Sequence, residues 1–246
     1  NIEKDIEWMH KNNSFDVEII NESDEYSLLA IQGPISRKVL QEICDKCVDL
    51  EYYHYFIANC GGIDMIISRT GYTGELGYEL YFKTDKKQAE NFWKYLFDKG
   101  KKYQIEPVGL AARDSLRLEM GFCLYGNDID QTTNPIEAGL GWITKVNKES
   151  FIGKEAIAKI KESGIDRKLV AMVSKEKILP RHGYKIASNG EIIGEVTSGT
   201  LSPILGQPIA LGYVAKEYSD IDTAINVKVR DKNVPVTIVK LPFIKK

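Results

Sequence analysis

Residues 184–197 read Tyr184-Lys185-Ile186-Ala187-Ser188-Asn189-Gly190-Glu191-Ile192-Ile193-Gly194-Glu195-Val196-Thr197. Two β-branched runs, Tyr184 to Ile186 and Glu191 to Thr197, flank an Asn-Gly pair. Both central residues of a type I′ turn need positive φ, which Asn and Gly tolerate, so this is the strongest short hairpin signal in the chain. Similar runs surround it: Leu169 to Val173, Ile209 to Val214, Ile225 to Val229 and Val234 to Val239. Short strands at this spacing predict a compact antiparallel barrel or sandwich.

The character changes upstream of that region. A short charged helix, Glu155 to Ser163, ends at Gly164, and the boundary is expected near Ser163–Arg167. The predicted division is 1–163, a mixed helix and strand core, and 164–246, the barrel; the fold class is α+β. Within the first part, Val17 to Asn21, Tyr26 to Ile31, Tyr53 to Ile57, Ile63 to Ser68 and Tyr78 to Phe82 read as strands. Gly61-Gly62 marks a hairpin between two of them. Gly33-Pro34 opens a helix whose Val39, Leu40, Ile43 and Cys47 share a face. Lys86 to Lys99 is a helix expected to bury Phe92, Leu96 and Trp93, and Gly109 to Met120 is another, stopped by Gly121 at C′.

At the start, Asn1 suits a helix N-cap, Glu3 and Asp5 suit the first turn, and Ile2, Ile6 and Met9 form one stripe. A helix beginning at the first residue, with no initiating Met, is expected for a fragment cut at an element boundary.

The totals exclude several classes. Across 246 residues, 33 Lys+Arg face 35 Asp+Glu for a net charge of -2. That balance argues against non-specific nucleic-acid binding, which needs a basic excess to displace counterions. No apolar run approaches the ~18 residues that span a bilayer. Four cysteines make no disulfide scaffold and fit a reducing cytosol. Cys44-x-x-Cys47 lacks a second ligand pair, since Cys60 and Cys123 are isolated and His10, His54 and His182 are the only histidines; semi-buried small residues are the better reading, and no metal is expected.

The segment Ile67-Ser68-Arg69-Thr70-Gly71-Tyr72-Thr73-Gly74-Glu75-Leu76-Gly77-Tyr78-Glu79-Leu80 is unusual. Its glycines let backbone approach another surface, and alternation sets Glu79 on the face opposite Tyr78 and Leu80. A carboxylate near tyrosines suits a planar heterocycle offering paired N–H donors; a glycine-rich hairpin with a solvated Glu fits equally well. The loop runs strand to strand, so it is no dinucleotide fingerprint. In Gly109-Leu110-Ala111-Ala112-Arg113-Asp114-Ser115-Leu116-Arg117-Leu118-Glu119, Arg113 and Arg117 lie four apart on one helical face. They could hold an anionic tail, although pairing with local carboxylates is the more economical reading. Residues 124–135 place two acids at i,i+2 without the Gly and Glu of an EF-hand, and read as a turn with Asx caps.

Taken together, Ile31-Gln32-Gly33-Pro34, Ser68 to Glu75, Gly109 to Glu119, Asn134-Pro135 and Gly194-Glu195-Val196-Thr197-Ser198-Gly199 resemble, in order, the glycine cleavage T-protein or tetrahydrofolate-dependent aminomethyltransferase family. The resemblance spans essentially the whole chain. It implies transfer of the methylene carbon from the aminomethyl-dihydrolipoyl H-protein to tetrahydrofolate, with release of ammonia and without a metal. It assigns Glu79 to the pterin edge, Tyr72 to a pocket wall, Arg113 to a second folate contact and Tyr53 to the lining of the site. The division above becomes a partial folate-binding core, 1–163, and a C-terminal β-barrel domain, 164–246.

The family's catalytic Asp falls upstream of the position matched by Asn1. The chain alone is therefore expected to be inactive or severely impaired, and no catalytic residue is assigned within it. Implied partners are the lipoylated H-protein and tetrahydrofolate, not nucleic acid or membrane. The implied location is the bacterial cytoplasm, or the mitochondrial matrix in a eukaryote. Relatives acting in iron–sulfur cluster assembly carry a cysteine where this chain has Ser150, and the folate domains of sarcosine- or dimethylglycine-oxidising flavoproteins are fused to a nucleotide-binding domain not visible here. A non-catalytic folate-binding or H-protein-docking remnant of the same fold is the alternative.

Overall fold

A computed structural model describes residues 1–44 and 49–245. They form two compact units, Asn1–Pro107 and Val108–Lys246. The division expected at 163/164 falls inside the second, between its last helix and its first barrel strand.

The first unit begins with α1 (Ile2–Asn12), which buries no residue, and Asn1 makes no side-chain cap bond. Its core is a four-stranded antiparallel sheet of β1 (Tyr26–Gln32), β2 (Tyr55–Cys60), β3 (Ile63–Ser68) and β4 (Gly77–Lys83), in the order β1-β4-β3-β2. Period-two alternation sends Ile31, Cys60, Met65, Ile67, Tyr78, Leu80 and Phe82 to one face. On that face they pack with Val39 and Leu40 of α2 (Ser36–Gln41) and Phe92 and Leu96 of α3 (Lys86–Gly100). A capping box starts α3: Gln88 N–H donates to Asp85 Oδ1 at 2.8 Å, and Gln88 Oε1 accepts from Asp85 N–H at 3.2 Å. The opposite sheet face bears Leu28, Ala30, Tyr55, Ile57, Glu79 and Tyr81, with Leu28, Tyr55 and Ile57 exposed.

Two sequence expectations differ here. Val17 to Asn21 forms no strand; Val17 and Ile20 are exposed, and β propensity without a pairing partner closes no ladder. Trp93 is 41% exposed, because the core takes the Phe92–Leu96 stripe and Trp93 instead packs on Phe97 at a 4.6 Å centroid separation. Cys47 lies outside the described residues.

The second unit holds α4 (Leu110–Glu119), α5 (Lys154–Ser163) and six antiparallel strands: β5 (Arg167–Ser174), β6 (Lys185–Ser188), β7 (Glu191–Leu201), β8 (Pro208–Ala215), β9 (Ala224–Val229) and β10 (Lys232–Val239). They close a barrel in the order β10-β5-β8-β7-β6-β9, in which β6 and β7 are neighbours, as the hairpin reading required. Asn189 and Gly190 both take positive φ, 50° and 89°. Val170, Met172, Ile186, Val196, Ala210, Val214, Val227 and Ile238 fill the interior. Leu169, Ala171, Ile209, Leu211 and Tyr213 form a separate cluster with Leu118 of α4, so β8 is buried along seven of its eight residues. A strand covered on both faces loses alternation, which is why Ile209 to Val214 reads as one apolar run.

Candidate functional site

The glycine-rich loop joins β3 to β4, and the register sets Ser68 opposite Glu79. Tyr78 and Leu80 are fully buried beneath the sheet, so the intervening Glu79 emerges on the face opposite α2 and α3. Its Oε2 accepts from Thr70 Oγ1, and from Tyr81 O–H at 3.3 Å. Thr70 Oγ1 also lies 3.1 Å from Ser68 Oγ. Burial, reinforced by the Glu79 charge, raises the Tyr81 pKa, so the phenol stays protonated and keeps donating. The carboxylate is thus half-buried and steered by two hydroxyls, with Oε1 making no hydrogen bond to the described residues.

The neighbouring rows of the sheet extend this surface. Ala30, Glu79, Ser68 and Tyr55 form one cross-strand row, and Leu28, Tyr81, Ile66 and Ile57 form the next. A groove of about 490 Å³ begins at that second row, lined by Tyr26, Ile57, Asp64, Ile66, Tyr81 and Lys83. Tyr81 therefore belongs both to the groove and to the carboxylate. Lys83 closes the far end, bridged to Glu22 at 2.6 Å and Glu25 at 3.1 Å, and these bonds raise its pKa.

Tyr53 precedes β2 with φ 63°, in the left-handed region. Its N–H donates to Arg69 O at 3.2 Å, while Arg69 N–H donates to His54 O at 2.9 Å. Arg69 Nη1 reaches Leu50 O at 2.8 Å, and its guanidinium lies 5.8 Å from the Tyr52 ring centroid. Tyr53 is 74% exposed and meets Tyr52 edge-on. Tyr72 is half-buried in the loop, two residues beyond Thr70. Glu79, Tyr72 and Tyr53 thus share one unit, gathered about the segment Ser68–Thr70. Arg113 belongs to the other unit, on the exposed side of α4. Tyr78, beside Glu79 in sequence, is instead a core residue whose O–H accepts from Arg37 Nε at 3.1 Å. Tyr81 and Thr70 did not emerge from the sequence reading, although alternation from Glu79 points to Tyr81.

In the second unit, Arg117 is a structural partner and not a surface anchor. It is 1% exposed and donates to Asp114 Oδ1 at 2.8 and 2.7 Å, Phe122 O at 3.0 Å, Asp128 Oδ2 at 2.6 Å and Ser198 Oγ at 2.8 Å. Burial works against its charge, but the Asp128 and Asp114 carboxylates outweigh that and raise its pKa. Phe122 N–H to Arg117 O and Gly121 N–H to Leu118 O make the Schellman closure that ends α4, with Gly121 at φ 72°. Glu119 accepts from Ser202 Oγ and from Ile204 N–H at 3.1 Å, anchoring that turn.

Burial and a hydrogen bond with Cys44 push the Cys60 thiol up, so Cys60 is a near neighbour of Cys44. Among the described residues, no group of three or more His, Cys, Asp or Glu is placed to hold a metal, and no helix is long and apolar enough to cross a membrane.

Comparison with known proteins gives a consistent result. Residues 1–148 match the GCVT N-terminal domain model, and residues 167–245 match the glycine cleavage T-protein C-terminal barrel domain model. An aminomethyltransferase from Halothermothrix orenii is 49% identical over 245 residues, covering 99% of this chain and 68% of that protein. One from Flavobacterium psychrophilum is 49% identical over 249 residues, covering 100% and 68%. The crystal structure of glycine cleavage system aminomethyltransferase T from Bartonella henselae superposes with a TM-score of 0.87 at 33% identity, covering 99% of this chain and 66% of that one. The chain thus spans about two thirds of the length of these relatives.

Proposed function

The chain belongs to the glycine cleavage T-protein (aminomethyltransferase) family, and from that premise we propose that it contributes the pterin-orienting part of a site that transfers a methylene carbon from the aminomethyl-dihydrolipoyl H-protein to tetrahydrofolate, releasing ammonia. The observation that carries this reading is Glu79: a half-buried carboxylate held by Thr70 and Tyr81 on the sheet face opposite α2 and α3, beside an aromatic-lined groove. A pterin presents adjacent N–H donors along one edge, and a carboxylate accepts two of them in parallel. Tyr72 and Tyr53 offer aromatic surface near the same segment, and the family resemblance adds Arg113, of the other unit, as a cation suited to folate's anionic or carbonyl groups. Tetrahydrofolate enters as a co-substrate; the lipoylated H-protein is the donor partner. A bacterial cytoplasmic setting belongs to the same proposal, supported by the bacterial sources of the relatives.

What this chain's residues contribute is binding and orientation. Holding the folate amine against the aminomethyl carbon converts an encounter into a positioned reaction. Substituting Glu79→Gln in the full-length protein replaces one accepting oxygen by an N–H₂ that faces the pterin donors. Charged hydrogen bonds contribute about 1.5–3 kcal/mol each, so tetrahydrofolate binding, followed by calorimetry, should weaken at least ~10-fold. Unchanged affinity would remove the reading. Tight folate binding with no ammonia release in the presence of loaded H-protein would favour the non-catalytic alternative.

A further inference from the structure

The loop that carries Tyr72 is built around a side chain from another strand. Gln32, the last residue of β1, pairs across the sheet with Gly77 and so lies on the same face as Glu79. Its Nε2 donates to Thr70 O at 3.3 Å and Tyr78 O at 3.4 Å, while its Oε1 accepts from Thr73 O–H at 3.1 Å. One amide therefore spans both ends of the loop and a residue near its middle. Two glycines leave the space that it occupies. A Cβ on Gly71 would lie 2.0 Å from Gln32 Oε1, and one on Gly77 would lie 2.2 Å from the same atom. Both distances are far inside van der Waals contact, so any side chain at either position displaces the amide. Gly33 N–H and Ser36 O–H donate to Leu76 O at 2.8 and 2.9 Å, tying the returning end of the loop to the same turn.

Two of these partners bear directly on the carboxylate. Thr70, whose carbonyl Gln32 holds, donates its hydroxyl to Glu79; Tyr78, whose carbonyl Gln32 also holds, is the residue before Glu79. We propose that Gln32 is a positioning residue for folate recognition: its amide sets the separation of the β3 and β4 ends and thereby aims the Glu79 carboxylate. It touches no substrate itself. This inference rests on the assignment of Glu79 to the pterin edge.

The test measures tetrahydrofolate affinity in the full-length protein, by calorimetry, for Gln32→Met with and without Glu79→Gln. Methionine keeps the length and volume but offers neither amide donor. With Glu79 intact, Gln32→Met weakens binding about tenfold, as expected for the lost aim of a pair of charged hydrogen bonds. In the Glu79→Gln background the same change costs less than about twofold, because the group being aimed has already lost its charge. A merely structural glutamine would weaken binding equally in both backgrounds, and that result, or no weakening with Glu79 intact, overturns the proposal. Should Gln32→Met fail to fold, Gly77→Ala is the second probe. It displaces the amide sterically and weakens binding in the parent, but costs nothing further once Gln32→Ala has emptied the space; an equal cost in both overturns the proposal. Absence of tetrahydrofolate binding by the unsubstituted protein would instead remove the functional reading, and this inference with it.

Discussion

Replacing Asp128 by alanine should destabilise the second unit more than any other single carboxylate change there, and the cost can be worked from its contacts. Asp128 is 0% exposed at its side chain, as Arg117 is at 1%. Oδ2 accepts from Arg117 Nη1 at 2.6 Å and Leu124 N–H at 2.9 Å, and Oδ1 accepts from Thr197 O–H. Truncation leaves a buried guanidinium whose other carboxylate, Asp114, is 47% exposed and correspondingly screened. Breaking one side of a buried ion pair costs about 3–5 kcal/mol, against which the Leu124 and Thr197 donors gain at most a water. The expected loss for Asp128→Ala is therefore ~4 kcal/mol, read as a shift in the urea midpoint of the barrel's far-UV signal at constant slope. Asp114→Ala removes a partner that water can replace and should cost about 1 kcal/mol or less. The discriminating member is Arg117→Met with Asp128→Leu. Removing both charges abolishes the orphan, so the double variant should be more stable than Asp128→Ala alone. An Asp128→Ala cost below ~1 kcal/mol, or a double variant less stable than the single, would refute the buried-charge reasoning.

Three further outcomes follow from other parts of the fold. Burial, aided by the Asp128 charge, pushes the Cys123 thiol up to about 11, so iodoacetamide at pH 8 should label it far more slowly in the native protein than in urea, and a native rate equal to the unfolded one would contradict its burial. The Thr132 hydroxyl and N–H, with Thr133, hold Asp130 below the ordinary carboxylate value. A depressed folded pKa gives stability that is present above the unfolded value near ~3.9 and lost as pH falls through the folded one, so the Tm gap between wild type and Asp130→Asn should narrow as the pH is lowered; a gap that does not change with pH would exclude it. A Cβ on Gly194 would lie 1.9 Å from Tyr213 O, a backbone atom of β8, so Gly194→Ala should cost at least ~2 kcal/mol by denaturation; Gly141→Ala, where only Ile136 approaches at 3.6 Å, should cost less than ~0.5 kcal/mol.

How much of this was readable in advance depends on whether the deciding interaction is local. The Asn189-Gly190 turn, the Gly121 stop and the Gly61-Gly62 hairpin depend on φ preferences of the residues themselves, and all three stand where turn chemistry places them. Val17 to Asn21 had the composition of a strand, but composition carries no information about a partner, and the segment stays exposed. The same distinction runs through the site. Alternation sufficed to turn Glu79 away from the core, since it depends only on the neighbouring Tyr78 and Leu80. The Arg117–Asp114 pair was likewise within reach at i,i+3, whereas Ser198, 81 positions away, was not. Gln32 meets Thr70 and Tyr78 across 38 and 46 positions, and no periodicity encodes such a meeting.

Glycine gives an indirect signal of these distant contacts. Gly71 and Gly77 take no positive φ, so their lack of a side chain is not a turn requirement; it makes room for one amide. Gly194 and Gly199 make room in the same way for the Tyr213 and Pro180 carbonyls. At these four positions another group occupies the place of a Cβ, so glycine there marks a close approach rather than a turn. That is why the loop next to Glu79 could be recognised as special from its composition, while the group it closes upon had to be found in three dimensions.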